Sequence, residues 1–393
     1  MTKRPDHDHL PPLWRTLRAF GLALALAGCG GGVDSGGTGS STFASGPVTG
    51  FGSVIVGGVH FDDSRASVTD ADGTARSRDD LRLGMTTEIR GSAIGIDATG
   101  ASVSTASSIA FGSDLLGPIV AIDATAARLV VLGQTVDINA ATVFDDVSVS
   151  GGLAALALGD VVEVYALFDA ATGHYTATRI ERKSLVASFV LRGVVSQFDA
   201  TAKAFSIGTQ RISFAAFGGT LPATLANGRI VRVRLRVVQV AGVWIVSALN
   251  DGVQAPMDHD DVRLEGLVSA FTSATQFSVN GVAVDASALN PAGVALGVRL
   301  EVEGTVRAGV LVASRVEVQP ADGQDFELRG PIASPDPVAH SFVLRDVTVV
   351  YSLITTEFRN GTAAGLTTGA NVEARGRLSP DGTRLLATRI TFR

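Results

Sequence analysis

Apolar and polar residues alternate over short runs along most of this chain. The pattern is clearest at Arg299-Leu300-Glu301-Val302-Glu303, where Leu300 and Val302 fall on one side and Glu301 and Glu303 on the other. This is the period of a half-buried strand, because successive side chains of an extended backbone point to opposite faces. Val372 and Ala374 against Glu373 and Arg375 repeat it. Asn280-Gly281, Asp72-Gly73 and Asp381-Gly382 punctuate the runs, as tight hairpin turns require. Longer Ala/Leu segments interrupt the strands at intervals, and Leu153 to Leu158 predicts one or two helical turns.

The runs recur. An opening glycine stands at Gly46, Gly117, Gly193, Gly266 and Gly330, each with Val or Ile two positions on (Val48, Ile119, Val195, Val268, Ile332). A second glycine precedes the fourth strand at Gly84, Gly159, Gly228, Gly297 and Gly369. Both registers return every 64 to 76 residues, so the chain is read as five tandem repeats. Each unit holds five strands in the order three strands, a short helix or loop, then two strands, which is the order of an OB-fold barrel. A first strand that bends to serve both halves of a small barrel needs a residue without Cβ at its corner, and the opening glycine fits that place. A plain β-sandwich of the same strands stays open at this point. The core of one such unit is small, so neighbouring units are expected to pack together.

Composition sets the class. Mean hydropathy is +0.31, with 45 glycines and 6% aromatics, which suits Val/Ala-rich strands and many turns. The net charge of −6 speaks against a nucleic-acid partner. Only Lys3, Lys183 and Lys203 are lysines among 32 basic residues, a bias that points to a GC-rich bacterial genome.

The N-terminus adds an address. Lys3, Arg4, Arg15 and Arg18 lead into a short apolar segment from Phe20 to Ala27, which ends in Leu26-Ala27-Gly28-Cys29. This resembles the lipobox of bacterial lipoproteins, and the resemblance implies a mature chain that starts at Cys29, acylated on its thiol and its amino group. Gly30 stands where an inner-membrane retention signal would carry Asp, so the resemblance implies the outer membrane, with the protein facing the periplasm or the cell surface. Residues 29–44 are rich in Gly, Ser and Thr and read as a flexible tether, whose typical span is roughly 20 Å. Cys29 is the only cysteine, so no disulfide, thiol nucleophile or Cys-ligated metal is expected. The expected organisation is a signal peptide over 1–28, the tether over 29–44, and units at 45–112, 113–185, 186–256, 257–321 and 322–393. The last strand reaches Arg393, and no second anchor is expected there.

Candidate chemistry is sparse. His60, His174, His259 and His340 fall at different places in their units, so no histidine site repeats. Asp258-His259-Asp260-Asp261 holds residue types able to bind a divalent ion, although a solvated linker explains it as well. Asp62-Asp63, Asp79-Asp80 and Asp145-Asp146 are adjacent pairs that point to opposite faces of a strand and make no acid dyad. Gly50-Phe51-Gly52 lacks the third glycine and the helix of a nucleotide site. No cofactor, metal or catalytic residue is expected. The most distinctive stripe is Arg232, Arg234 and Arg236 on alternate positions of unit 3, at a place where the other units carry Glu88, Glu163, Glu301 and Glu373. With Trp244 on the next strand it forms a possible anion-binding surface. Otherwise it is a seam paired with Asp251, Asp258, Asp260 or Asp261 near unit 4.

The Gly-x-[Ile/Val] start, the Leu-Gly-x-x-[Val/Leu]-Glu-[Val/Ala] centre and the Ala-[Ser/Thr]-Arg-[Ile/Val] end of the units resemble DUF5666, a bacterial envelope domain of unknown function. The likeness is strongest in units 2, 4 and 5 and weaker in units 1 and 3. It implies a small β-barrel in the cell envelope and carries over no site residues. The expected function is a lipid-anchored, non-catalytic envelope protein, a scaffold or protein-binding rod with a membrane attachment and an envelope partner. The alternative is a binder of an anionic glycan or lipid headgroup through unit 3.

Overall fold

The second glycine of every unit has a left-handed backbone: φ is +78° at Gly84, +86° at Gly159, +82° at Gly228, +79° at Gly297 and +84° at Gly369. A side chain is strained there, which explains why the residue type returns in all five units. The same N–H donates to the apolar residue two places after the opening glycine. Gly84 reaches the carbonyl of Val48, Gly159 that of Ile119, Gly228 that of Val195, Gly297 that of Val268 and Gly369 that of Ile332, all at 2.8–3.0 Å. The apolar residue returns a bond to the carbonyl just after the glycine, at Met85, Asp160, Arg229, Val298 and Ala370. The two sequence registers are two sides of one contact.

These features come from a computed structural model, which describes residues 41–252, 258–320 and 323–393. The expected signal peptide, Cys29 and the tether as far as residue 40 lie outside the described residues.

The opening glycine marks a change of partner along the first strand. In unit 4, His259–Ser273 pairs with Arg299–Arg307 as far as Leu267 and with Gln276–Val279 from Val268 onward. A Cβ on Gly266 would lie 2.1 Å from the Asn280 side chain, and Leu132 and Ile207 crowd Gly117 and Gly193 in the same way. At Gly330 nothing comes within 4 Å of that position, so close approach explains the corner glycine in some units only.

Closure follows one scheme. The first three strands form an antiparallel meander, the fourth and fifth form a hairpin, and the fourth returns to the first. The fifth runs parallel beside the third: Val59 faces Ser102 in unit 1, Val136 faces Tyr175 in unit 2 and Ile212 faces Trp244 in unit 3. Ala283 faces Val310 in unit 4, and Val349 faces Leu385 in unit 5. The chain therefore folds as small closed five-stranded barrels, and not as an open sandwich. The expected helical turn is present as a short 3-10 helix, Gly152–Ala155.

The units share cores. Buried side chains of units 1 and 5 form one apolar cluster, which Val143 and Tyr165 of unit 2 enter, and units 2 and 3 form a second. Phe43 of unit 1, 1% exposed, belongs to the core of unit 4. Burying one such ring contributes roughly 1.5–3 kcal/mol, a large share of what a barrel this small can supply alone.

Strand edges also join. The first strand of unit 1, Thr42–Pro47, lies parallel to that of unit 4, with Thr42 opposite Asp261 and Ser45 opposite Leu264. Gly50–Phe51 lies parallel to the first strand of unit 5. Leu115 and Leu116 of unit 2 pair antiparallel with Leu191 and Val190 of unit 3. Half of each bent first strand has a free side inside its own barrel, and these pairings cover backbone groups that would otherwise be left open. Two expectations change. Residues 42–44, placed in the tether, already belong to a strand. The units are also joined out of chain order, 1 to 4 and 1 to 5, which a rod stacked in sequence does not provide.

Candidate functional site

The arginine stripe lies on the fourth strand of unit 3, Ile230–Leu235, whose Val231, Val233 and Leu235 face the core. Alternation sends Arg232 and Arg234 the other way. Arg232 Nη1 is 2.8 Å from Asp72 Oδ1, and Arg234 Nη2 binds the second oxygen of the same carboxylate. Arg234 Nη1 also donates to Ser188 Oγ at 2.9 Å. Arg236, beyond the strand, is exposed. The stripe is therefore a seam, but its partner is Asp72 of unit 1, on the hairpin turn Asp72-Gly73, and not an acid near unit 4. Three of those four acids are engaged elsewhere: Asp251 with Thr224, Asp258 with the Ala308 N–H, and Asp260 with Arg307.

Trp244 does not join the arginines. It is 8% exposed inside the barrel, edge-on to Phe189 with ring centres 5.6 Å apart, and its Nε1 donates to Gln210 Oε1 at 2.9 Å. Trp244 and Val246 share the inward face of their strand, so strand alternation alone separates the indole from the stripe.

The acidic segments hold turns and seams. His259 Nδ1 meets Ser41 Oγ at 2.7 Å, and its ring stacks on Phe43. Among the described residues no three His, Cys, Asp or Glu side chains are grouped so as to hold a metal ion. Asp80 caps a 3-10 turn through the Ser77 N–H, Asp145 binds Arg179 at 2.9 Å, and Asp146 accepts from Thr348 of unit 5.

A cavity of about 380 Å³ opens where units 1 to 4 meet. Its charged wall is built from Glu88 and Asp72 of unit 1, Asp114 of unit 2, and Arg192, Arg232 and Asp251 of unit 3. Arg192 Nη1 pairs with Asp114 Oδ1 at 2.9 Å, and its Nε donates to the Gly252 carbonyl. Asp114 also accepts the Ala166 N–H. Burial pushes the Asp114 carboxyl up, against the pull of Arg192. Glu88 differs from all of these, because among the described residues no hydrogen bond or ion pair reaches its carboxylate. Burial pushes it up to about 7, while Arg192 and then Arg90 pull the other way.

The repeat makes this contrast sharp. Four residues past the second glycine stand Glu88, Glu163, Arg232, Glu301 and Glu373. Glu163 pairs with Lys183 at 2.9 Å, Arg232 with Asp72, Glu301 with Arg263 at 3.6 Å and Glu373 with Arg375 at 3.0 Å. Beside Glu88 the residues opposite on the two neighbouring strands are Ser45 and Ala110. Both are small and uncharged, and both line the cavity.

Three segments match the family model for a domain of unknown function, DUF5666, over residues 117–181, 265–317 and 329–391. The matched segments are units 2, 4 and 5, the three in which the sequence resemblance is strongest. No curated protein matches the chain. The DUF5666 segments begin within two residues of the opening glycines Gly117, Gly266 and Gly330 and take in the second glycine of each unit, so the matched region is the barrel itself. Glu88, Arg232 and Arg192 all lie outside the matched segments.

Proposed function

We propose that this chain is a lipid-anchored, non-catalytic protein of the bacterial envelope, in which five tandem OB-like barrels form a scaffold for a protein partner. The strand order described above supports the OB-like assignment in each unit. The observation that carries the scaffold reading is how the units use their outward charges. Arg232 and Arg234 bind Asp72 across units 3 and 1, Arg192 binds Asp114 across units 3 and 2, and Arg299 binds Glu265 at 2.5 Å within unit 4. Such pairs fix positions and registers more than they add net stability, which suits a body that must hold its surface in one shape. The lipobox-like Leu26-Ala27-Gly28-Cys29 supports attachment to the outer membrane.

Crosslinking in envelope fractions followed by capture of the acylated chain tests this reading. A defined envelope protein recovered in fixed ratio supports it. Recovery of the chain alone from the soluble fraction contradicts it.

Recognition of an anionic glycan or lipid headgroup through unit 3 is the second reading. The exposed Arg236 favours it, but Arg232 and Arg234 share the Asp72 carboxylate, which takes part of their positive charge.

A further inference from the structure

Among the described residues, every charged side chain in the walls of the cavity shared by units 1 to 4 has a hydrogen-bond or ion-pair partner except Glu88. Arg192 and Arg232 have carboxylate partners, and Asp251 accepts from Thr224. The buried Arg232 Nε has no acceptor, but an anionic ligand there would compete with Asp72 and Asp114 for the arginines and face the carboxylates of Glu88 and Asp251. A neutral polyol could bond Asn250 in the lining, yet it would supply no cation to Glu88. What the site lacks is a cation.

We propose that this cavity binds a small organic amine, whose ammonium group pairs with Glu88. The volume lies within the range of small-molecule sites, and the walls come from four units already held together by Phe43, the Asp72 seam and the Arg192–Asp114 pair. The places that Lys183 holds in unit 2 and Arg263 holds in unit 4 are taken in unit 1 by Gly112 and Phe43, which carry no charge and line the cavity. The bound ammonium would take the part that Lys183 and Arg263 play for the equivalent glutamates of units 2 and 4. A carboxyl that titrates near neutrality suits the role, because it ionises when a cation arrives and otherwise takes up a proton. The inference does not rest on the lipid anchor or on the scaffold reading.

Thermal melts of the full chain in mild detergent at pH 8 test it, with putrescine and ethanolamine as amine probes. Glucose, acetate and sodium chloride at matched ionic strength serve as controls. An amine should raise the melting temperature by about 2 °C or more at saturation, while the controls do not. The shift should vanish in Glu88→Gln, measured against that variant's own baseline. It should persist in Glu163→Gln, which lacks the equivalent carboxylate of unit 2. Absence of a shift with both amines overturns the proposal, as does a shift that survives Glu88→Gln. A Glu88-dependent shift produced by glucose or acetate also overturns it, in favour of a polyol or an anion.

Discussion

Arg232 of unit 3 places its Nη1 2.8 Å from Oδ1 of Asp72, a residue 160 positions earlier on a turn of unit 1. One carboxylate thereby serves two guanidinium groups, since Arg234 takes its other oxygen. Without it, two like charges on one strand face would repel across a partly buried seam.

Asp72→Asn should therefore cost more than Arg234→Ser, about 1–3 kcal/mol against about 1 kcal/mol or less in denaturant melts. Neither substitution should alter binding to anionic vesicles. Salt-sensitive vesicle binding that Arg234→Ser abolishes, with an unchanged melting temperature, would move the weight to the headgroup reading.

The fourth barrel offers a test of strand faces. Val302 is fully buried, so Val302→Asp places a carboxylate in an apolar interior at a cost of several kcal/mol. Glu301 faces outward beside Arg263, with Glu265, Glu303 and Glu317 also near it. Glu301→Lys exchanges one largely buried partner for three carboxylates of opposite sign, and the change should stay within about 1 kcal/mol. Equal damage from the two substitutions would mean that the faces are wrongly assigned.

Glu88 gives a pH dependence of known sign. Its carboxyl is pushed up to about 7 in the folded chain from an ordinary value of 4.5, so the folded state holds the proton more tightly than the unfolded state. Its contribution to stability is favourable at low pH and is lost as pH rises through 7. Glu88→Gln removes the ionisation. At pH 8, without amine, the variant should be more stable than wild type by roughly 1–3 kcal/mol, and the gap should close near pH 4. A gap that is constant across this range would show that Glu88 titrates normally.

Much of the barrel was legible in the sequence because its constraints are local. The alternation at Leu300 to Glu303 states the burial of that strand, and the recurrent glycines report a left-handed backbone whose N–H reaches a fixed residue of the first strand. Trp244 was also within reach, since alternation with Val246 turns it inward. The relations between units are another matter. Nothing near Asp72 in the chain indicates Arg232, because an ion pair between distant segments leaves no periodic trace. Thr42 and Ala44 share the small residue types of a tether, with Phe43 the one apolar hint, and pairing with Ile89 to Gly91 of unit 1 and with unit 4 makes them a strand. Glu88 looks like Glu163 and Glu301 along the chain. Its distinction lies in Gly112 and Phe43, which stand where units 2 and 4 have Lys183 and Arg263, and it shows only once the register of three strands is known.

The proposed attachment to a membrane rests on Cys29, and the intact mass of the mature protein tests it most directly. The account predicts an N-terminus at Cys29, with mass added by a diacylglyceryl group on the thiol and an acyl chain on the amine, and no cleavage or lipid in Cys29→Ala. A mature chain that carries a free Cys29 thiol and partitions into the aqueous phase would contradict it.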